Sequence, residues 1–175
     1  AVLNIFQYDA KGIIEFVDQD GIAGGSATAQ NSKDQHAVGF ELALKWQPMT
    51  KLSLHGSYAQ NNAHDMQTKA PAADTPRKQI HLIGNWKFHP QWTTGIDTYR
   101  VMDRSRPSND TRAKIADYTW VNANLRGHNF INEWDITLSV HNLFNTDARE
   151  PGPIEIRNDY PLEGRSVYIS ISTNI

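Results

Sequence analysis

The side chains with chemistry to offer are histidines and arginines, not thiols. The 175-residue sequence has no Cys, which removes a disulfide framework, a Cys-ligated zinc site and a thiol nucleophile together. His55 and His81 fall on successive predicted strands with the same orientation, so two imidazoles could reach one metal ion. No third ligand follows at a recognisable spacing, and ordinary hydrogen bonding on a wet face accounts for both rings. GxSxG, HExxH, Walker and GxGxxG patterns are absent, and Gly24-Gly25 lies in a predicted loop rather than between a strand and a helix. Nothing favours a carboxylate pair of the glycosidase kind. No enzyme, cofactor or metal site is expected.

The arginines cluster differently. Residues 103–116, DRSRPSNDTRAKIA, set Arg104, Arg106, Arg112 and Lys114 against Asp103 and Asp110. A guanidinium fork suits a carboxylate or phosphate, so this stretch could attract an anionic ligand. A solvated loop whose cations meet lipopolysaccharide phosphates, or its own carboxylates, explains the same residues. Further on, Arg149, Glu150, Arg157, Asp159 and Tyr160 share one polar stretch, where ligand contact and a structural role compete equally. The candidate ligand-binding residues are therefore Arg104, Arg106, Arg112, Arg149 and Tyr160, all assigned to loops.

The elements that must position them are strands. In EWDITLSVH, Trp134, Ile136, Leu138 and Val140 share one parity while Asp135, Thr137, Ser139 and His141 share the other. Val38, Phe40, Leu42, Leu44 and Trp46 alternate in the same way with Gly39, Glu41, Ala43 and Lys45, as do Val167, Ile169 and Ile171 with Tyr168, Ser170 and Ser172. The same rule places strands over 2–8, 13–17, 52–62, 80–88, 92–102 and 118–127, with a turn at Asp9 to Gly12 and long loops at 18–35, 63–77, 103–116 and after His141. HNFIN reads as the turn into Trp134. About nine strands result, with no helical period.

Connection lengths then alternate short and long, which is the plan of a membrane barrel with short periplasmic turns and long extracellular loops. Aromatic residues agree with two interfacial belts: Tyr8, Trp46, Trp86, Phe88, Trp92 and Trp134 beside short turns, and Tyr58, Tyr99, Tyr118, Trp120 and Phe144 toward long loops, with parity supporting the outer belt less evenly because Tyr118 and Trp120 oppose Val121, Ala123 and Leu125. Glu41, Lys45, His55, His81, Lys87, Asp97, Asp135 and His141 lie on the polar parity and require a wet interior. The mean hydropathy of -0.58 and the lack of a long apolar run exclude a membrane-spanning helix but not spanning strands. A net charge of -2 with no basic stripe gives no reason to expect nucleic acid. AVLNIFQYDAKG shows no signal peptide, so a mature chain or a fragment is expected.

Specific wording narrows this plan. HNLFNTDAREP with NDYPLEGRSVYISIS resembles the closing hairpin of TonB-dependent outer-membrane receptors. GFELALKWQP with LSLHGSYAQNNA, NWKFHPQW, and NDTRAKIADYTWVNANLR are similar, in order, to earlier strands and turns of the same family. The resemblance implies an all-β, antiparallel, up-and-down transmembrane β-barrel segment over residues 1–175, the last nine or so strands of a roughly 22-stranded barrel. It implies energy-coupled uptake of a ferric siderophore or a similar scarce ligand in the outer membrane of a Gram-negative cell. Its implied partners are outer-membrane lipid and lipopolysaccharide, TonB through an N-terminal part with no counterpart here, and the barrel-assembly machinery through the C-terminal strand. Family members end in an aromatic residue where this sequence has Ile175. A passive porin or small non-transport barrel, and a soluble ligand-binding β-barrel, share the strand pattern and remain the alternatives. Open sheet edges would require further strands from the same or another chain.

Overall fold

The computed structural model describes residues 1–18, 27–107, 110–131, 133–153 and 156–173. Among these, every regular element is a strand: β1 (Val2–Asp18), β2 (Ala27–Met49), β3 (Leu52–Asp65), β4 (Pro76–His89), β5 (Trp92–Arg104), β6 (Tyr118–Ile131), β7 (Trp134–His141), β8 (Arg149–Glu150), β9 (Tyr160–Pro161) and β10 (Ser166–Thr173). Eight of them form one sheet in the order β1-β2-β3-β4-β5-β6-β7-β10, and β8 pairs with β9 in a separate two-stranded sheet. Neighbours are antiparallel throughout. The sheet is open, with β1 and β10 as its edges.

The sheet thus holds eight strands where the sequence predicts about nine, because the first two predicted strands are one. The predicted turn at Asp9 to Gly12 is a bulge instead: pairing with β2 slips between Ala10 and Ile13, and Gly12 takes a left-handed φ of 65°. The Gly12 amide donates to Asp34 Oδ1 at 2.9 Å, so the irregularity leaves no orphan there. β2 correspondingly begins at Ala27, within the stretch expected to be loop. Gly24 and Gly25 lie outside the described residues, as does Ile175.

HNFIN is likewise mostly strand. β6 continues to Ile131 through a slip between Gly127 and Ile131, with Asn129 at a φ of 48°. Thr50–Lys51 and Pro90–Gln91 make tight links, while 66–75, 105–117 and 142–165 make long ones. In an antiparallel meander alternate links fall at opposite ends, so the long ones gather at one end of the sheet.

Register turns the alternation of single strands into two faces. Leu3, Leu42, Tyr58 and Ile80 stand in one cross-strand row, and Ile96, Ala123, Val140 and Val167 continue that face to the far edge. The opposite face carries Glu41, Ser57, His81, Tyr99, Trp120, Asn124, Ser139 and Tyr168. The apolar face has no packed core behind it. Among the described residues the buried hydrophobic side chains are Ala37, Ala63, Ala72, Ile115 and Ala148, while Ile5 is 77% and Ile169 68% exposed. Large apolar groups this open require a covering medium other than water.

At the short-link end, Trp46, Trp86, Phe88 and Trp134 stand exposed, and Trp92 meets Phe130 edge-on with ring centroids 5.4 Å apart. The predicted second belt is only partly present. Tyr58 lies on the apolar face against Phe40, centroids 5.5 Å apart, but Tyr99, Tyr118 and Trp120 point to the polar face. There each finds a polar partner, as with the Trp120 indole donating to Asn122 Oδ1 at 2.8 Å. Tyr8 pairs with Ala37 in mid-strand, away from any short link.

Candidate functional site at the long-loop end

Three of the five arginine and tyrosine candidates meet in one network joining the 105–117 link to the 142–165 link. Asp103 has a left-handed φ of 56°, and after it β5 ends on Arg104, whose side chain is 1% exposed. Its guanidinium donates to Arg149 O and Ala116 O, both at 2.8 Å, and to Glu150 Oε2 at 3.2 Å. It also lies 5.0 Å from the centroid of the Tyr118 ring. Tyr118 in turn donates its hydroxyl to Glu150 Oε1 at 2.8 Å, so one carboxylate ties two strands to β8.

Arg106 and Arg112 sit around Asp159. Arg106 grips both carboxylate oxygens, Nη1 to Oδ1 at 2.9 Å and Nη2 to Oδ2 at 2.6 Å, and its Nε donates to Ala113 O at 2.8 Å. Arg112 donates to Asp110 Oδ2 at 2.6 Å, to Ile156 O at 2.6 Å and to Gly152 O at 2.8 Å, with Asp159 Oδ1 at 3.4 Å. These hydrogen bonds favour the charged forms. The Arg106 guanidinium holds the Asp159 carboxyl well below the usual carboxylate range, and Arg112 brings Asp110 down to about 2. Asp159 and Asp110 in return push Arg106 and Arg112 up.

Arg149 and Tyr160 are more open. Arg149 pairs with Asp147 and donates to Asn158 O at 2.7 Å, with 37% of its side chain still exposed. Tyr160 is 47% exposed and sits opposite Glu150 in the β8–β9 pair. The structure thus brings Arg104, Arg106 and Arg112 into a salt-bridged weld and leaves Arg149 and Tyr160 on the surface beside it.

Sequence reasoning missed Asn142 as a fixed point of this end. Fully buried, with a φ of 48°, it accepts the Thr146 amide at Oδ1 and donates Nδ2 to Thr146 O and Glu163 O. One amide side chain therefore closes the start of the last link onto its end. The signal was present as the Asn of HNLFN, a residue type that tolerates the left-handed region.

On the polar face, His81 Nε2 lies 2.6 Å from Asp97 Oδ1 and stacks on Tyr99 at 4.0 Å. His55 instead sits opposite Lys45 and Ile83, lining a pocket of about 440 Å³ with Lys45, Gln47, Ser53 and Asn85 near the short links. The two rings are thus differently engaged. Among the described residues no three His, Asp or Glu side chains converge on a metal-sized site.

A family model described as TonB dependent receptor-like, beta-barrel matches residues 1–143. No curated protein sequence matches the chain. Among solved structures, the copper transporter OprC is similar at a TM-score of 0.77 and 18% identity, over 97% of this chain and 28% of that one. The ferric-catecholate import receptor Fiu from K12 E. coli gives 0.71 and 17%, over 97% and 24%. The ferripyoverdine receptor of the outer membrane of Pseudomonas aeruginosa gives 0.73 and 14%, again over 97% and 24%. These likenesses are of fold, and the chain spans 24–28% of the length of these three structures.

Proposed function

The chain belongs to the TonB-dependent receptor β-barrel family, and from that premise we propose that it is the C-terminal wall of an outer-membrane receptor for energy-coupled uptake of a ferric siderophore or a similar scarce ligand. The observation that carries this reading is the sheet itself: one largely apolar face, interrupted by Thr98 and Arg100, one polar face, and the long links at one end. With the apolar face toward lipid, the polar face lines a wet lumen and the long links meet the outside. The fold neighbours, a ferripyoverdine receptor and a ferric-catecholate import receptor among them, support the ligand class.

No chemistry on the ligand is involved. Binding at the long links and passage through the lumen suffice, with coupling to TonB carried by receptor segments outside these 175 residues. Within the binding end, Arg149 and Tyr160 offer accessible surface to an anionic chelate, while the Arg104, Arg106 and Arg112 group holds the links in shape. Lipid, lipopolysaccharide and the assembly machinery complete the set of partners.

The test is uptake of radioiron as ferric pyoverdine and as a ferric catecholate, by cells carrying the receptor with TonB intact or deleted. The reading expects uptake that needs both the receptor and TonB. Entry that persists without TonB supports a passive porin instead. Arg149→Ala or Tyr160→Ala is expected to weaken ligand binding about tenfold while the folded barrel is unchanged.

A further inference from the structure

We propose that His36 and His64 bind a divalent transition-metal ion of the zinc, nickel and copper class, and that the ion clamps the long-link ends of β2 and β3 together. The two residues are direct cross-strand partners, and Asp9 of β1 is the partner of His36 on its other side. One row thus carries a carboxylate and two imidazoles across three strands. Its parity is that of Phe40 and Val38, and His36 takes the next place on that face after Val38. The row therefore stands at the long-link end, where the apolar positions of β2 give way to polar ones. Both histidine side chains are half-buried, so solvent reaches them.

Ring spacing fits a shared ion. The imidazole centroids lie 5.3 Å apart with their planes inclined at 57°. An ion about 2 Å from one nitrogen of each ring, at a tetrahedral angle, sets two imidazole centroids about 5 Å apart. Rings that stack on each other come closer, as His81 and Tyr99 do at 4.0 Å. Asp9 prepares His36 for this role. Its Oδ1 lies 2.6 Å from His36 Nδ1, and a carboxylate only accepts, so in the neutral ring Nδ1 carries the proton and Nε2 keeps a lone pair. A carboxylate on the far nitrogen also fixes the ring and raises its basicity as a ligand.

The donor set selects the metal. Imidazole nitrogens suit zinc, nickel and copper, whereas calcium and magnesium take oxygen ligands. Among the described residues no third His, Asp or Glu joins the pair, so water fills the remaining positions. The nearby acids are engaged: Asp34 Oδ1 accepts the Gly12 amide at 2.9 Å, and Asp65, on the opposite parity, accepts the Gln67 and Thr68 amides at 2.9 and 2.6 Å. Beyond the histidines the two strands stay joined only as far as the Met66 amide on Asp34 O at 2.8 Å, where the 66–75 link departs. An ion held by both rings fixes those strand ends. The row faces away from the polar face, so the ion is a clamp on the outside of the wall and not a ligand in transit.

The position outside the lumen rests on the proposed orientation of the wall; the binding of the ion does not, and its test is independent of uptake. The experiment titrates Cu2+ into the full receptor chain in detergent, with folding scored by heat-dependent gel mobility, and reads affinity together with nitrogen couplings in the electron spin resonance spectrum. The parent is expected to take up an ion, coupled to two imidazoles, that the His36→Gln, His64→Gln double variant does not. Either single variant should bind it about a hundredfold more weakly, and Asp9→Asn, which keeps both ligands, about tenfold more weakly. His89→Gln, at a short link, should change nothing. With Zn2+ at about a hundred times its dissociation constant, hydrogen exchange over residues 34–38 and 62–66 should slow about a hundredfold in the parent and not in the double variant. Equal Cu2+ affinity and couplings in parent and double variant overturn the site. Binding that leaves exchange at these strand ends unchanged overturns the clamp.

Discussion

At the scale of single residues, the long-loop end is held by buried charge. Replacing Asp159 with Asn leaves Arg106 and Arg112 facing each other across a half-strength acceptor, and a buried guanidinium without its carboxylate is strongly destabilising. The expected loss is about 3 kcal/mol of protection for the amides of Gly152 and Ile156, read by hydrogen exchange, with the strands unaffected. The pH dependence follows from the same pairs. Asp110 and Asp159 have folded values depressed below the ordinary carboxylate value, so their stabilisation is complete above about pH 4 and is lost as pH falls through the folded values. Because Asp110 is brought down to about 2, protection in this end, corrected for the intrinsic exchange rate, should be level from neutral pH to about 4 and fall progressively between about 4 and 2. A loss of protection already at about pH 6 would contradict the weld. The sequence made the cationic residues legible as types, but their partners were not, because Asp159 and Glu150 reach Arg106 and Arg104 across more than forty positions.

Elements follow parity and register. A charge on the apolar face should cost about 2 to 4 kcal/mol in a bilayer, whereas the same charge one position away on the polar face costs little. Leu82→Arg is expected to reduce the folded barrel fraction in urea titrations by that amount, and Ser57→Arg, next to Gly56 which pairs with Leu82, to leave it near the parent. Equal effects would mean that neither face meets lipid. Gly39 shows how tightly two strands can depend on one residue. A Cβ there would fall on the Gln60 carbonyl oxygen and on the Phe6 ring, which lies over the glycine on the polar face. Gly39→Ala should cost about 1 to 3 kcal/mol, seen as a lower folded fraction by gel mobility. Most strands were legible because alternation is a local property. The first two were read as separate because Asp9 to Gly12 has turn residues, and only pairing with β2 decides between a reversal and a bulge. The outer aromatic belt holds only in part: alternation with Val121, Ala123 and Leu125 already set Tyr118 and Trp120 on the other parity, and register puts both, with Tyr99, on the polar face.

For the whole molecule, the open edges at β1 and β10 set the remaining requirement. Unpaired strand edges cannot lie in hydrocarbon, so in the proposed receptor both are paired by further strands of the barrel. The family and the up-and-down strand order were legible from short motifs taken in sequence, because turns and strand ends carry recognisable wording; the ligand was not, because the cations of the long links, Arg104, Arg106 and Arg112, are tied to acids and carbonyls of the same chain and so spell out no ligand. The most direct measurement of the central claim uses the absence of native Cys in this stretch. Single Ala113→Cys and Lys51→Cys variants, exposed at the long-link and short-link ends respectively, would be treated in intact cells with a membrane-impermeant maleimide. An outer-membrane receptor wall with its long links outside predicts labelling at 113 in intact cells, and at 51 only after the outer membrane is opened. Labelling at 51 but not 113 in intact cells, or recovery of both variants in the soluble fraction, would contradict it.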